Sequence, residues 1–498
     1  STHGYSDLAA RIPVRPEMLF EIGSITKSFT AILVLQEWEA GRLDLDAPVE
    51  SYLPWFEVQS ARDRITPHHL LTHTAGIIRG SEFSTNARCS ALALGETVVG
   101  PPPGTVFHYS NVGYMVLGLI LEAVIGAPYG EIVKKRILDP LMMRETCPTI
   151  THDVRRRLAV GHAHLYDDRP PQADRTLVPA TWLETATADG SIASTPADMA
   201  IYLRTLMAGG KYPGGQLFSD AAFERMIKPV ITTGDGEHGE WYGYGLTIEE
   251  EEGHRLVGHS GGMIGYCSQV LMDLDDRLGV VVMVNGPGTP EVVARWTLRV
   301  FRAALNGQPL PPQPPKGDHM VVERAADYAG FYGDPPELEV TPRGSGLAMI
   351  WDGTEIPLEL IEGDRFFAHH PEWDRFPLQF LRQDGVVIEF FHGPQWYPHE
   401  RYEGPRQWDI PDEWRAYPGH YSAYNPWYTN WRVVLRKGEL VFLHPTGEEE
   451  PLVSIGEAVF RAGRGPDSPE RLRFETVLDG QAIRANLSGE TYYRTFTP

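Results

Sequence analysis

The sequence is short of positive charge, of cysteine and of long apolar runs, and each shortage removes a class of function. Lys and Arg number 44 against 66 Asp and Glu, a formal charge of −22, which repels phosphate backbones and anionic lipid. Nucleic acid is therefore not an expected partner. No run of about 18 apolar residues occurs, so no membrane span is expected, and the charged opening, residues 1–15, lacks the form of a signal peptide. Cys89, Cys147 and Cys267 are odd in number, widely spaced and without metal-ligand spacing. They read as free thiols and make a cytoplasmic location the expectation, or a periplasmic or secreted one if a leader was removed ahead of Ser1.

What remains is ample for several cores, since 498 residues suggest two to four domains. Pro309-Leu310-Pro311-Pro312-Gln313-Pro314-Pro315 reads as a stiff extended linker, which sets expected boundaries at 1–308, 309–318, 319–408 and 409–498. Before it, helical patterns run over residues 24–40, stopped by Gly41, and over 112–125, stopped by Gly126. A third, 195–206, ends at Gly209-Gly210, and 291–305 forms a closing helix. Thr66 before Pro67 has the form of an N-cap with proline at the first helical position. From Tyr242 the period changes to short apolar runs separated by turns, which predicts antiparallel strands, with His259-Ser260-Gly261 on an edge strand bordering a cleft. Beyond the linker only short strands are expected. Tyr328-Ala329-Gly330-Phe331-Tyr332 recurs as Tyr417-Pro418-Gly419-His420-Tyr421, and Asp384-Gly385 as Asp479-Gly480. The pattern predicts two copies of one antiparallel barrel module, and the whole an α+β domain followed by two small β-barrels.

One stretch carries chemistry before any other. In Ser24-Ile25-Thr26-Lys27 the serine and lysine are three apart and share a helix face, so the Lys27 amine can reach the Ser24 hydroxyl where first-turn N–H groups favour negative charge. Alone, the pattern is as readily a capping serine with an exposed lysine. Tyr109-Ser110-Asn111 precedes a buried helix, where a tyrosine can shuttle protons and an asparagine hold an amide; a packed tyrosine with a capping asparagine has the same look, and Tyr428-Thr429-Asn430 repeats the pattern. His69 and His73 are four apart next to His68, but no Glu follows His69 in zincin fashion, and no metal is expected.

Taken together and in this order, Ser24-Ile25-Thr26-Lys27, Tyr109-Ser110-Asn111 and His259-Ser260-Gly261 resemble the motifs of the penicillin-recognising serine hydrolases, in the branch of class C β-lactamases, D-aminopeptidases and β-lactamase-like esterases. Leu70-Leu71-Thr72-His73-Thr74-Ala75-Gly76, Pro103-Gly104, Pro140-Leu141-Met142 and Ser194-Thr195-Pro196-Ala197-Asp198 match as well, so the resemblance covers about residues 4–305. It implies a β-lactamase-like α+β domain in which Ser24 attacks a carbonyl and becomes acylated, while Lys27 and Tyr109 exchange its proton. Asn111, His259, Ser260 and Gly261 would bind substrate, and the backbone N–H groups of Ser24 and Gly262 would form an oxyanion hole. It implies no metal and no organic cofactor. The C-terminal modules resemble, more loosely, the barrels appended to D-aminopeptidases.

Two features depart from the family. The helix and two strands usual ahead of the segment resembling Gly4-Tyr5 are not in this sequence. His259 stands where β-lactamases carry lysine, and with an unperturbed pKa of about 6.5 it would favour carboxylate-bearing substrates as pH falls. The expected function is hydrolysis of amide or peptide bonds, with D-residues among the substrates, the partner being a small molecule or peptide. The alternatives are a carboxylesterase or weak β-lactamase of the same fold, and an inactive ligand- or peptidoglycan-binding protein. A homo-oligomer remains open.

Overall fold

Thr26–Glu39 (α1) holds no glycine or proline, and its run Ala31-Ile32-Leu33-Val34-Leu35 is apolar on every side. The structure buries it without a break from Thr26 to Leu35. An all-round apolar helix has to be a core helix, and α1 is the one the first unit is built around. Gly41, at φ +69°, ends it. Just beyond, Arg42 and Arg136 pair with the fully buried Glu37. Asn111–Ile125 (α2) packs against α1. Ser110 caps it by accepting the Gly113 N–H at 3.1 Å, and the left-handed Gly126 closes it. A short helix, Pro67–Leu71, starts from the Thr66 cap as expected. Pro196–Met207 (α3) starts from Thr195, whose hydroxyl accepts the Asp198 N–H; Pro290–Leu305 (α4) follows the sheet.

The computed structural model of the protein describes residues 1–59, 63–80, 86–172, 175–234, 239–314, 319–463 and 465–495; the end of the expected linker, 315–318, lies outside these. The chain forms two units, one of residues 1–164, 177–314 and 467–470, the other of 165–176, 315–466 and 471–498. Among the described residues no single helix is long and apolar enough to cross a membrane.

In the first unit six antiparallel strands follow one another across a sheet: Ile231–Thr232 (β1), Trp241–Tyr242 (β2), Thr247–Glu251 (β3), His254–Met263 (β4), Tyr266–Asp273 (β5) and Leu278–Val284 (β6). Alternate residues serve opposite faces. Leu256, Leu271 and Val280 meet Ala294 and Leu298 of α4, whereas Val257, Val270 and Met272 join the core that holds α1 and α3. β4 lies between β3 and β5, so it is not an edge strand along its whole length. Its pairing with β3 ends at Gly258, and from His259 to Met263 only β5 is paired.

The turn before α1 fills the open side. This turn, Gly23–Ile25, is 3-10 rather than the first turn of an α-helix. The approach is close enough to require glycine twice. A Cβ on Gly261 would lie 1.9 Å from the Ile22 carbonyl oxygen, and one on Gly23, itself at φ +53°, 2.5 Å from that of Gly262.

In the second unit eight antiparallel strands run in sequence order from Gly330 to Pro398, their two ends meeting at a bridge between Tyr332 and His399. Eight more, from Gly419 to Arg494, form a closed barrel. The sequence repeat is a structural one. The Tyr332 hydroxyl donates to the Tyr328 carbonyl at 2.7 Å, and the Tyr421 hydroxyl to the Tyr417 carbonyl at 2.7 Å. Both Asp-Gly pairs have positive φ at each residue, the conformation that matches the twist of a tight hairpin. The architecture is thus the expected α+β domain followed by two antiparallel eight-stranded modules.

Glu21 sits on a two-residue strand, Phe20–Glu21, paired with Ala193–Ser194. It is buried, and burial pushes its carboxyl from 4.5 up to about 8 against a smaller pull from Trp182. The folded state therefore holds a proton that the unfolded chain releases above about pH 4.5, and stability falls as pH rises from there towards 8. Glu21→Gln removes this loss. The melting temperatures of wild type and variant should converge near about pH 4 and diverge in the variant's favour up to about pH 8; parallel profiles would show that Glu21 is already ionised in the folded protein.

Candidate active site

The 3-10 turn leaves Ser24 half-buried at the mouth of α1, with Lys27 one turn further in and fully buried. The Lys27 Nζ lies 2.9 Å from Ser24 Oγ, 2.6 Å from Asn111 Oδ1 and 3.0 Å from the Asp189 carbonyl oxygen. Two of these three partners can only accept, and the third is a hydroxyl that can accept or donate. An ammonium would donate to all three. A neutral amine would keep its two bonds to the carbonyl oxygens and turn its lone pair to the Ser24 O–H. Proton exchange between Lys27 and Ser24 therefore breaks neither of the bonds that hold the amine.

Around this pair the walls are aromatic. Lys27 Nζ is 4.9 Å from the ring centre of Tyr109 and 5.6 Å from that of Tyr114, distances at which a ring face attracts a cation. Tyr109 and Asn111 flank the Ser110 cap, so the start of α2 sets both. With its Oδ1 on Lys27, Asn111 leaves Nδ2 without a partner among the described residues, free to donate to a substrate carbonyl. The Asp189 carboxyl is pushed up by burial, against the pull of Lys27. The close approach of Gly23 to Gly262 sets the peptide of the exposed Gly262 against the Ser24 turn.

His259 differs from the expectation of an ordinary, titrating imidazole. It is 4% exposed. Its Nδ1–H donates to the Ser260 carbonyl at 2.5 Å, and its Nε2 lies 3.0 Å from the Tyr242 hydroxyl. A carbonyl only accepts, so the proton is on Nδ1 and Tyr242 donates to Nε2. Burial, followed by the charge of Lys27, pushes the imidazole down to about 4 in spite of the Ser260 bond. His259 is neutral at physiological pH and has no spare N–H. The Ser260 side chain is exposed, and Gly261 is the contact to Ile22.

The three motifs thus converge in one unit, and the competing patterns do not. Tyr428-Thr429-Asn430 belongs to the second unit, where the Tyr428 hydroxyl lies 2.5 Å from His444 Nδ1. His68 and His69 bond to the Tyr244 hydroxyl and the Thr66 N–H, and His73 Nδ1 accepts the Ser110 N–H. Among the described residues His254, Asp273 and Asp275 gather ligand atoms within 4.8 Å of one another, but Arg302 already bonds Asp273 at 2.6 Å and sets a cation against any metal. Sequence reasoning missed the Asp189 carbonyl, which as a backbone group leaves no signal. It also missed Tyr242, quoted only as strand, and Glu470. The Glu470 carboxylate accepts the Arg79 N–H at 2.8 Å and lies 3.1 Å from His108 Nε2.

Known proteins resemble this chain in sequence and fold. The chain is 26% identical over 420 residues to penicillin-binding protein 4* of Bacillus subtilis, covering 78% of this chain and 86% of that protein. The octameric penicillin-binding protein homologue from Pyrococcus abyssi superposes with a TM-score of 0.57 at 29% identity, over 79% of this chain and 91% of its own. D-amino acid amidase from Ochrobactrum anthropi SV3 gives 0.51 at 26%, over 61% and 89%. The beta-lactamase family profile matches residues 1–304, and the chain belongs to the beta-lactamase family, whose fold is that of serine hydrolases.

Proposed function

We propose that the protein hydrolyses amide or peptide bonds, those of D-amino acid substrates among them, through an acyl-Ser24 intermediate. The observation that carries this reading is the buried Lys27 amine, held at once by Ser24 and Asn111. In the neutral form Lys27 takes the Ser24 proton as Oγ attacks the carbonyl carbon. The oxyanion is met by the N–H groups of Ser24 and Gly262, and Asn111 Nδ2 holds the substrate amide. Tyr109 gives its proton to the departing nitrogen and recovers one from Lys27, so that in net one proton passes from Ser24 to the amine product and Lys27 and Tyr109 are restored. Water then enters by the same route in reverse and frees Ser24.

The resemblance to D-amino acid amidase supports the D-amide class, and the neutral His259 supports substrates without a free carboxylate beside it. A charge-assisted bond is about twice as strong as a neutral one, and here neither is on offer. Ester cleavage needs nothing more than the same groups, which keeps a carboxylesterase as the second reading. A homo-oligomer is part of the proposal, supported by the octameric Pyrococcus abyssi homologue.

Ser24→Ala should leave the fold intact and abolish both turnover and labelling by a fluorophosphonate. Lys27→Ala and Tyr109→Phe should each lower kcat by about 10²-fold or more; a near-normal rate for Lys27→Ala removes lysine from the mechanism. On D- and L-phenylalanine amide, p-nitrophenyl esters and nitrocefin, the D-amide should be the best amide and nitrocefin the poorest substrate. Turnover of esters alone would establish the carboxylesterase instead.

The burial of His259 makes a separate prediction. The ratio of kcat/KM for a carboxylate-bearing substrate to that for its matched amide should stay flat from about pH 5.5 to 8.5, since His259 titrates near about 4. A ratio rising as pH falls through about 6.5 would show that the imidazole charges and reads the carboxylate.

A further inference from the structure

The Tyr109 hydroxyl makes no hydrogen bond among the described residues, so nothing at the reactive end of the ring holds it in place. What holds it is one residue behind it. His73 follows the short helix Pro67–Leu71 with φ +55°, a left-handed conformation uncommon for any residue but glycine. In that conformation its carbonyl accepts the His108 N–H at 2.8 Å while its Nδ1 accepts the Ser110 N–H at 3.0 Å. The N–H groups of the residues before and after Tyr109 are thus held by the backbone and the side chain of one residue. The imidazole also lies under the Tyr109 ring, 4.2 Å between centres and 34° between planes, with Tyr242, Tyr114 and Phe107 on its other sides.

We infer that His73 is a positioning residue for Tyr109, clamping the backbone before and after it and backing its ring, and that this is the role of the Thr72-His73-Thr74 corner in the reaction. The inference rests on the catalytic role proposed for Tyr109. His73 is 1% exposed. Because Nδ1 accepts, the proton is on Nε2, which has no hydrogen-bond partner among the described residues and is enclosed by aromatic faces, weak acceptors for an N–H. Burial, and after it the charges of Lys27, His259, His108 and Arg79, push this imidazole well below its ordinary range. The clamp therefore stays a neutral acceptor and does not titrate with the reaction. The left-handed corner has a use on this account: it presents the His73 carbonyl and Nδ1 to the same stretch of chain. A displacement of about 1 Å at a reacting group costs about 10²-fold in rate, and that is the scale on which loss of the clamp should be felt.

The test is a double-mutant cycle. His73→Phe keeps the ring and removes the acceptor; His73→Asn keeps an acceptor, tolerates the left-handed conformation and removes the ring. Each is made alone and with Tyr109→Phe, checked for folding by thermal melting, and assayed on p-nitrophenyl acetate and D-phenylalanine amide. His73→Phe is expected to lower kcat by about 10²-fold with KM nearly unchanged, and to cost less than about threefold when Tyr109 is already phenylalanine. His73→Asn should lose less and show the same non-additivity, which keeps the test decisive if the phenylalanine variant does not fold. Equal losses with and without Tyr109, or full activity in both His73 variants, overturn the inference. An undiminished Tyr109→Phe would instead overturn the catalytic role of the tyrosine, and this inference with it.

Discussion

A lysine amine buried at the mouth of an apolar helix needs three hydrogen-bond partners, and much of the first unit is arranged around supplying them. Asn111 Oδ1 and the Asp189 carbonyl are fixed acceptors; the third partner, Ser24, can change from acceptor to donor. An unpaired charge in such a site would cost several kcal/mol, so the amine cannot be left without these contacts. The 3-10 turn Gly23–Ile25 holds Ser24 and α1 holds Lys27, α2 brings Asn111, and the loop before Ala193–Ser194 brings Asp189. Moving any one of these elements would strand a polar group in the core. In the proposed reaction the same contacts that order the packing leave the proton between Lys27 and Ser24 as the part that moves.

The second constraint is electrostatic and works by exclusion. Close to Lys27 the titratable groups are kept neutral: His259 and His73 by burial and by the lysine's own charge, Tyr242 and Tyr114 by burial, which pushes both phenols up. In a site of low polarity a second positive charge would compete with Lys27; both His259 nitrogens and His73 Nδ1 are bonded to neighbours, and His73 Nε2 is enclosed by aromatic rings. The outcome is that neither histidine adds a positive charge beside Lys27. Substitution of the lysine usual in β-lactamases by His259 fits that arrangement, because the imidazole joins the wall and adds no charge.

The sequence made the elements plain where one physical signal dominated. Unbroken apolar character identified α1, capping residues placed the starts of the Pro67–Leu71 helix and α3, and the Tyr-Gly-Tyr repeat with its Asp-Gly turns announced two similar modules. The motifs themselves told which side chains would meet. What stayed hidden depends on the third dimension. That β4 is internal up to Gly258 and open beyond it follows from the shortness of β3. The neutral state of His259 follows from Tyr242, which its own segment presents only as an aromatic in a strand. His73 stood in view beside His68 and His69, yet a metal was the only role its spacing raised. A side chain and a carbonyl acting together on a segment more than thirty residues away leave no periodic trace.

Acylation of Ser24 is the step on which the proposed reaction depends. Rapid mixing with a slowly released substrate such as a D-phenylalanine p-nitrophenyl ester, acid quench and intact-mass measurement should show one acyl group added per chain, with fragmentation placing it on Ser24 and no adduct forming in Ser24→Ala. An acyl group on any other residue, or turnover of that ester by Ser24→Ala at the wild-type rate, would contradict it.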